Sequence, residues 1–174
     1  IGSGATAVTI VPAIAKKANH VVMLQRSPTY VVSGPSEDAI NKLLRKILPI
    51  KLTYFLIRWK NILYQSFTFF MARKYPERTK NKILELAKNE LGPDYDIDKH
   101  LTPSYKPWDQ RICLVPDSDL FEAIKNKKAS IVTDTIKEFQ TNGVLLNSGE
   151  KIDADLIITA TGIELNALND INVS

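Results

Sequence analysis

The first seven residues, Ile1-Gly2-Ser3-Gly4-Ala5-Thr6-Ala7, match the pattern Gly-x-Gly-x-x-Ala and decide the fold. The following residues, up to Ala18, keep apolar side chains at the spacing of a helix with one buried face. Residues 20–25 are an apolar run typical of a buried parallel strand. A glycine-rich turn that opens a helix in this setting indicates a dinucleotide-binding site. Taken alone, the same residues also fit a simple small-residue turn.

The residue types in this turn have definite physical roles. The first glycine allows a tight turn, the second lets a pyrophosphate approach the backbone, and the small third residue lets helix and strand pack closely. The helix N-terminus offers N–H groups and a partial positive charge to the phosphates. We therefore predict an α/β fold with a Rossmann-like dinucleotide-binding domain, in which three layers surround a parallel sheet.

The end of the predicted second strand indicates which dinucleotide binds. NAD sites place an Asp or Glu there to bind the ribose hydroxyls. This chain has Gln25, Arg26 and Ser27 instead, and an arginine can form a bidentate, charge-assisted pair with a 2′-phosphate. These residues favour NADP over NAD, with a solvated strand-end charge as the alternative for Arg26.

Composition excludes several kinds of site. The 174 residues are 44% hydrophobic, which fits one folded domain rather than a disordered tail. The single cysteine, Cys113, excludes a disulfide framework, and His20 and His100 lie too far apart to suggest zinc. The net charge of +4 favours anionic partners only weakly. We expect no metal and no nucleic acid. A glycine turn of this kind follows a strand, and only Ile1 precedes Gly2 in this sequence. We therefore expect that this sequence is part of a longer polypeptide.

The rest of the pattern predicts helices, loops and short strands. Two or three helices cover residues 39–91, with breaks near Pro49 and Pro76, and one more covers residues 119–124. Loops are expected at residues 28–38 and 92–108. The remaining predicted strands are residues 129–133, 136–140, 144–146 and 154–160, with a hairpin turn at Asn142-Gly143 and a buried position for the last strand.

Two further segments allow two readings each. Residues 47–72 are rich in aromatic side chains, but Lys51, Arg58 and Lys60 interrupt them, so we do not expect a membrane span. They predict a helical face packed on a neighbouring domain, with a peripheral membrane contact as the alternative. Residues 102–111 predict a fixed loop, because prolines and aromatic residues alternate in it. Its last residue, Arg111, is predicted to be a structural ion-pair residue or a cation that faces a ligand.

Four segments in this order resemble the flavin-containing monooxygenases, most closely the Baeyer–Villiger type and its ethionamide-activating relatives. They are IGSGATAV (1–8), VVMLQRSPTYV (21–31), TPSYKPWDQRICLVPDSDLFEAI (102–124) and DLIITATGIELN (155–166). In that family FAD binds to the first and last parts of the chain, and NADPH binds to a middle insert. The resemblance implies NADP(H) and FAD as cofactors, with the FAD site mostly outside this chain.

The resemblance also implies a division of the chain. Residues 1–38 would begin the NADP-binding Rossmann domain, and residues 39–91 would be a helical insertion. Residues 92–153 would complete the NADP-binding domain, and residues 154–174 would return into the FAD-binding domain.

Individual residues acquire expected roles from the resemblance. Arg26 and Ser27 would hold the 2′-phosphate, and Gln110 stands where many Baeyer–Villiger enzymes have a lysine, which leaves more of the cofactor choice to Arg26. Arg111 matches the active-site arginine, whose charge would stabilise the reduced flavin and the peroxyflavin. The pyrophosphate would be held by Gly2, Ser3, Gly4, Ala5, Thr6 and Ala7, and the junction of the two domains would contain Ala160, Thr161 and Gly162.

The implied activity is an NADPH-dependent flavin monooxygenase reaction of the EC 1.14.13 type. One oxygen atom of dioxygen would enter a small-molecule ketone, amine or sulfide, and we expect a cytoplasmic location with membrane association as the alternative. Two other functions remain open. One is the NADP-binding domain of a disulfide-reductase-type flavoprotein, although Cys113 has no cysteine partner. The other is a non-catalytic NADP-binding module.

Overall fold

The computed structural model describes residues 1–162, which form a mixed α/β architecture. The helices are α1 (Ala5–Ala15), α2 (Ala39–Ile47), α3 (Ile50–Lys74), α4 (Pro76–Leu91), α5 (Ile97–Leu101) and α6 (Asp119–Lys125). The strands are β1 (Val21–Gln25), β2 (Tyr30–Gly34), β3 (Ile112–Pro116), β4 (Ala129–Thr133), β5 (Ile136–Gln140), β6 (Gly143–Leu146) and β7 (Lys151–Asp153).

The strands form two parallel pairs and one antiparallel sheet. β1 pairs with β4, and β2 pairs with β3, both in parallel. Strands β5, β6 and β7 follow one another in an antiparallel sheet. Parallel pairing requires long crossover connections, and helices α1, α4 and α6 pack on the parallel strands. The largest cluster of buried apolar side chains lies there and includes Val8, Met23, Val115 and Phe121.

Ile1 lies between β1 and residues 158–160. The Gly2 N–H donates to the Leu24 carbonyl (2.8 Å), and the Ala160 N–H donates to the Ile1 carbonyl (2.7 Å). The amino group of Ile1 donates to the Ile158 carbonyl (2.6 Å). The hydrogen-bonded backbone segments therefore lie side by side in the order β4, β1, Ile1 and residues 158–160. A cleft of about 650 Å³ continues from Ile1 between β1 and residues 152–158.

The strand predicted at residues 154–160 is wrong for the described structure. These residues have no regular secondary structure, and Leu156 is 75% exposed. Within residues 1–162, the Ala154 N–H donates to the Asn142 carbonyl (2.9 Å) and residues 158 and 160 bond to Ile1, so no strand pairs with the whole segment. A run of apolar residues indicates a preference for a buried strand. The strand forms only where a neighbouring strand pairs with it along its full length.

Two predicted loops are also wrong in part. The predicted loop 28–38 contains β2, because Tyr30, Val31 and Val32 are strand formers that find a partner in β3. Within the predicted loop 92–108, α5 forms with Asp96 as its N-cap, whose side chain accepts from the Lys99 N–H (3.0 Å). Strands β3 and β7 had no prediction.

The helix breaks were predicted correctly. The three helices α2, α3 and α4 meet near Pro49, the N-cap of α3, and at Pro76, the first residue of α4. Helix α6 and strands β4 and β5 also agree with the prediction. The β5–β6 loop comprises Thr141 and Asn142, one residue earlier than predicted, and Gly143 begins β6.

Gly2→Ala should lower the free energy of unfolding of the full-length protein by at least about 2 kcal/mol. Gly2 has φ +133°, and a Cβ there would lie 2.4 Å from the Ala160 carbonyl oxygen. Urea unfolding measures the change. Gly4→Ala is the matched control, because Gly4 has φ −81° and its Cβ would meet no atom within 4 Å. Equal losses in the two variants would contradict the role of the Gly2–Ala160 contact.

Candidate functional site

The N-terminus of α1 presents free backbone donors to open space. The first N–H groups of a helix have no partner within the helix, and Gly4, as N-cap, provides no side chain to satisfy them. Gly4, Ala5 and Thr6 are exposed, whereas Ala7 is buried against the core. Since a Cβ on Gly4 would meet nothing within 4 Å, the space above this residue is open to a ligand. The geometry suits an anion.

Ala160 closes the other side of the turn. Its carbonyl oxygen lies so near Gly2 that no larger residue fits, and its N–H donates to Ile1. Thr161 and Gly162 follow it and are exposed, with φ +104° at Gly162. The predicted site residues Gly2 and Ala160 are therefore in direct contact. The end of the fourth resembling segment, residues 163–166, lies outside the described residues.

Arg26 and Ser27 follow β1 directly and are both exposed. The glycine turn bonds to the same strand two residues before Arg26, where the Gly2 N–H donates to the Leu24 carbonyl. Within residues 1–162, no carboxylate forms an ion pair with Arg26. Arg26 therefore follows the carboxyl end of β1, and its exposed side chain is accessible to an anion.

A buried network beneath Arg26 was not predicted from the sequence. Gln25, 1% exposed, donates from Nε2 to the His100 carbonyl (2.7 Å) and to Thr133 Oγ1 (2.8 Å). Thr133 Oγ1 also lies 2.8 Å from His100 Nδ1. The network joins α5 to the ends of β1 and β4 and fixes the strand end that carries Arg26. No sequence signal indicates it, because Gln25 and His100 are 75 positions apart.

The surroundings of His100 favour its neutral form. Burial is the main cause that lowers the pKa of His100, and the neighbouring charge of Lys99 lowers it further, while Asp96 opposes both. Because Thr133 Oγ1 already accepts from Gln25, its own proton is available to the unprotonated Nδ1 of His100. Protonation of that nitrogen would remove the acceptor.

The loop that ends at Arg111 is fixed on two sides. Tyr105 forms a hydrogen bond with Thr29 through its hydroxyl (2.8 Å) and accepts one from the Tyr30 hydroxyl at its carbonyl oxygen (2.8 Å). On the other side, Asp109 pairs with Arg73 of α3 (2.7 Å), and Trp108 packs edge-on against Phe69 of α3, with ring centres 5.6 Å apart. The loop is therefore anchored to β2 and to α3.

Cys113 connects the start of β3 to the glycine turn. Its thiol lies 3.9 Å from the Ser3 carbonyl oxygen. Burial raises the pKa of the Cys113 thiol, and a hydrogen bond with Thr29 and the charge of Arg111 only partly oppose this. Cys113 is thus a protonated, buried residue that packs the start of β3 against the turn.

Arg111, two residues before Cys113, is exposed and directly precedes β3. It forms no ion pair with any residue of the described range 1–162. The structure thus joins Gly2 to Ala160 and to Leu24, two residues before Arg26, and Cys113 links Ser3 to the start of β3, where Arg111 lies. In the same range no three His, Cys, Asp or Glu side chains cluster as a metal site would require, and no helix has the length and apolar content needed to cross a bilayer.

Comparison with known proteins extends the resemblance to individual relatives. The chain is 52% identical over 166 residues to the FAD-containing monooxygenase EthA of Mycobacterium tuberculosis, and 46% identical over 166 residues to EthA of Mycolicibacterium smegmatis. It is 46% identical over 172 residues to "Probable FAD-binding monooxygenase AlmA" of Acinetobacter baylyi. These matches cover 95% to 98% of the chain. The chain is homologous to FAD-containing monooxygenases.

The match to these FAD-containing monooxygenases concerns one part of them. The chain spans about a third of the length of the curated relatives, 34% in each of the three. No protein-family model matches it. The glycine turn, Arg26 and the loop to Arg111 therefore belong to one section of a larger flavoprotein relative.

The free energy of unfolding should fall as the pH drops below about 6.5, the ordinary pKa of histidine. The unfolded chain binds a proton at His100 there, whereas the folded chain resists it until the pH passes below the lowered pKa of His100. Urea unfolding between about pH 7.5 and pH 5 measures this slope. His100→Asn should flatten it, and Lys99→Gln should weaken it, because Lys99 contributes to the lowered pKa. An unchanged slope in His100→Asn would contradict the assignment.

Proposed function

We propose that this chain forms the NADPH-binding section of an FAD-dependent monooxygenase. Residues 1–38 and 92–153 would make a Rossmann-like domain, residues 39–91 would be a helical insertion, and residues 154–174 would lead into the FAD-binding domain. The observation that carries the proposal is the unpaired Arg26 beside the free N-terminus of α1. The homology to FAD-containing monooxygenases supports the reaction class.

The residues present fit an NADP dinucleotide. The pyrophosphate would lie above Gly4, where the N–H groups of the first turn of α1 point and where no side chain intrudes. The 2′-phosphate would bind to Arg26 and Ser27, which follow β1 at the same edge. An NAD site would place a carboxylate there, and that carboxylate would repel a 2′-phosphate.

The oxygenation chemistry would come from FAD, which supplies hydride acceptance and the activation of dioxygen when bound. Arg111 would place a permanent positive charge beside the reacting ring and stabilise negative charge that develops on it. The anchored loop would fix the backbone near Arg111, which would limit the reorganisation of its charge during the reaction. Ala160, Thr161 and Gly162 would carry the backbone from the NADPH side to the FAD side. The substrate would be a small ketone, or an amine or sulfide.

Arg26→Ala should reduce the preference for NADPH over NADH, measured as the ratio of kcat/KM, by roughly tenfold to a hundredfold. A hydrogen bond to a charged group contributes about 1.5–3 kcal/mol, and this contact is made with NADPH alone. Lys125→Ala, an exposed cation on α6, is the matched control and should leave the ratio unchanged. A normal ratio in Arg26→Ala would overturn the placement of the 2′-phosphate.

Arg111→Ala should bind NADPH with nearly normal affinity and lose oxygenation by about a hundredfold or more. The loss is expected because removal of one preorganised charge affects the reacting state and leaves the binding of the dinucleotide intact. Product formation and the Kd of NADPH are measured separately, and Arg111→Lys should recover part of the rate. Full oxygenation by Arg111→Ala would refute this role. If the unchanged full-length protein binds NADPH but no flavin, a non-catalytic NADP-binding module would be favoured instead.

A further inference from the structure

Helices α2 and α3 carry a large unpartnered apolar surface. None of the nine residues of α2 is buried, and α3 buries only Thr53 and Ala72 among its 25 residues. Ile47 is 70% exposed, and Phe55 and Trp59 are about half exposed. We name this surface the α2–α3 surface, and its exposed apolar and aromatic residues are Ile40, Leu43, Ile47, Ile50, Leu52, Tyr54, Phe55, Leu56, Trp59, Ile62, Leu63, Tyr64, Phe67, Phe69 and Phe70.

Exposed apolar residues occur around most of α3, and one stripe of them faces away from α2. With 3.6 residues per turn, Phe55, Trp59 and Ile62 lie on one face of the helix. Thr53 and Lys60 lie on the opposite side and contact α2, since Thr53 donates to the Leu44 carbonyl (3.5 Å) and Lys60 pairs with Asp38. The stripe therefore does not belong to the packing between α2 and α3.

The same two helices are uniformly basic. Residues 39–74 contain no Asp or Glu, and their basic residues are Lys42, Arg45, Lys46, Lys51, Arg58, Lys60, Arg73 and Lys74. Lys42, Lys60 and Arg73 pair with carboxylates from outside this segment. In the described residues 1–162, no carboxylate forms an ion pair with the other five. The apolar stripe is therefore flanked by uncompensated positive charge.

This combination distinguishes a lipid surface from a protein partner. The cores of protein interfaces are depleted in Lys and other charged residues. A helix that lies in the plane of a bilayer interface combines Trp, Phe and Leu on one side with Lys and Arg beside them. Since no described helix is able to cross a bilayer, α3 would lie along the membrane with its apolar stripe among the acyl chains and its cations at the headgroups.

We propose that the α2–α3 surface binds a bilayer that contains anionic lipids. Trp59 and Phe55 enter the interface, and Lys46, Lys51 and Arg58 contact the headgroups. Each such cation near an anionic surface strengthens binding about fivefold. This contact is independent of cofactor binding, because none of these residues lies at the edge formed by the glycine turn and Arg26.

The test is co-sedimentation of the full-length protein with vesicles of phosphatidylcholine, with and without phosphatidylglycerol. We expect binding to the anionic vesicles that weakens with salt. The triple variant Lys46→Gln, Lys51→Gln and Arg58→Gln should partition roughly a hundredfold more weakly. The matched control neutralises three exposed lysines elsewhere, Lys88, Lys125 and Lys128, and should bind normally. An equal loss in the control, or no binding by the unchanged protein, would overturn the proposal.

A second measurement identifies the apolar contact. Brominated phosphatidylcholine in anionic vesicles should quench tryptophan fluorescence, and Trp59→Phe should remove most of that quenching. Acrylamide should quench Trp59 in the lipid-free protein. Protection of Trp59 from acrylamide without lipid would show instead that another part of the polypeptide, or a second copy of the protein, covers the surface.

Discussion

The close approach of Gly2 to Ala160 is the constraint on which the site depends. It brings residues from the two ends of the described chain together and sets the glycine turn between β1 and residues 158–160. Any side chain at Gly2 would separate them, because the space is filled by a backbone carbonyl, which has no rotamer with which to move away. The start of α1, and with it the direction of its free N–H groups, follows from this contact.

The local parts of the fold could be predicted from the sequence, and the parts made by distant pairing could not. The glycine turn, the helix breaks at Pro49 and Pro76, and strand β4 depend on residue types that act within a few positions. Strand β2 forms because it pairs with β3, about 80 residues later in the chain. From the sequence alone, Ser33-Gly34-Pro35 indicates a loop, whereas in the structure these residues mark the end of β2. The predicted strand at residues 154–160 does not form although its apolar pattern is present, because Asn142 bonds only to its first residue and Ile1 only to its last residues.

The candidate site likewise contains residues that the sequence predicts and residues that only the structure reveals. Arg26 is predicted as a site residue because its position after a strand has a known chemical meaning, and the structure leaves it exposed. Gln25, His100 and Thr133 support that strand end from below, but each is an ordinary residue in its own segment. A polar network of this kind is a property of three-dimensional packing, and only the folded chain displays it.

The anchoring of the loop 102–111 to α3 has a mechanical consequence. The last residue of a loop is normally mobile. Here, however, Trp108 contacts Phe69 and Asp109 pairs with Arg73, and both partners lie near the C-terminal end of the 25-residue helix α3. Arg111 lies two residues after Asp109, so a displacement of the C-terminal end of α3 would also displace Arg111. Motion of the Arg111 charge is therefore coupled to motion of helix α3.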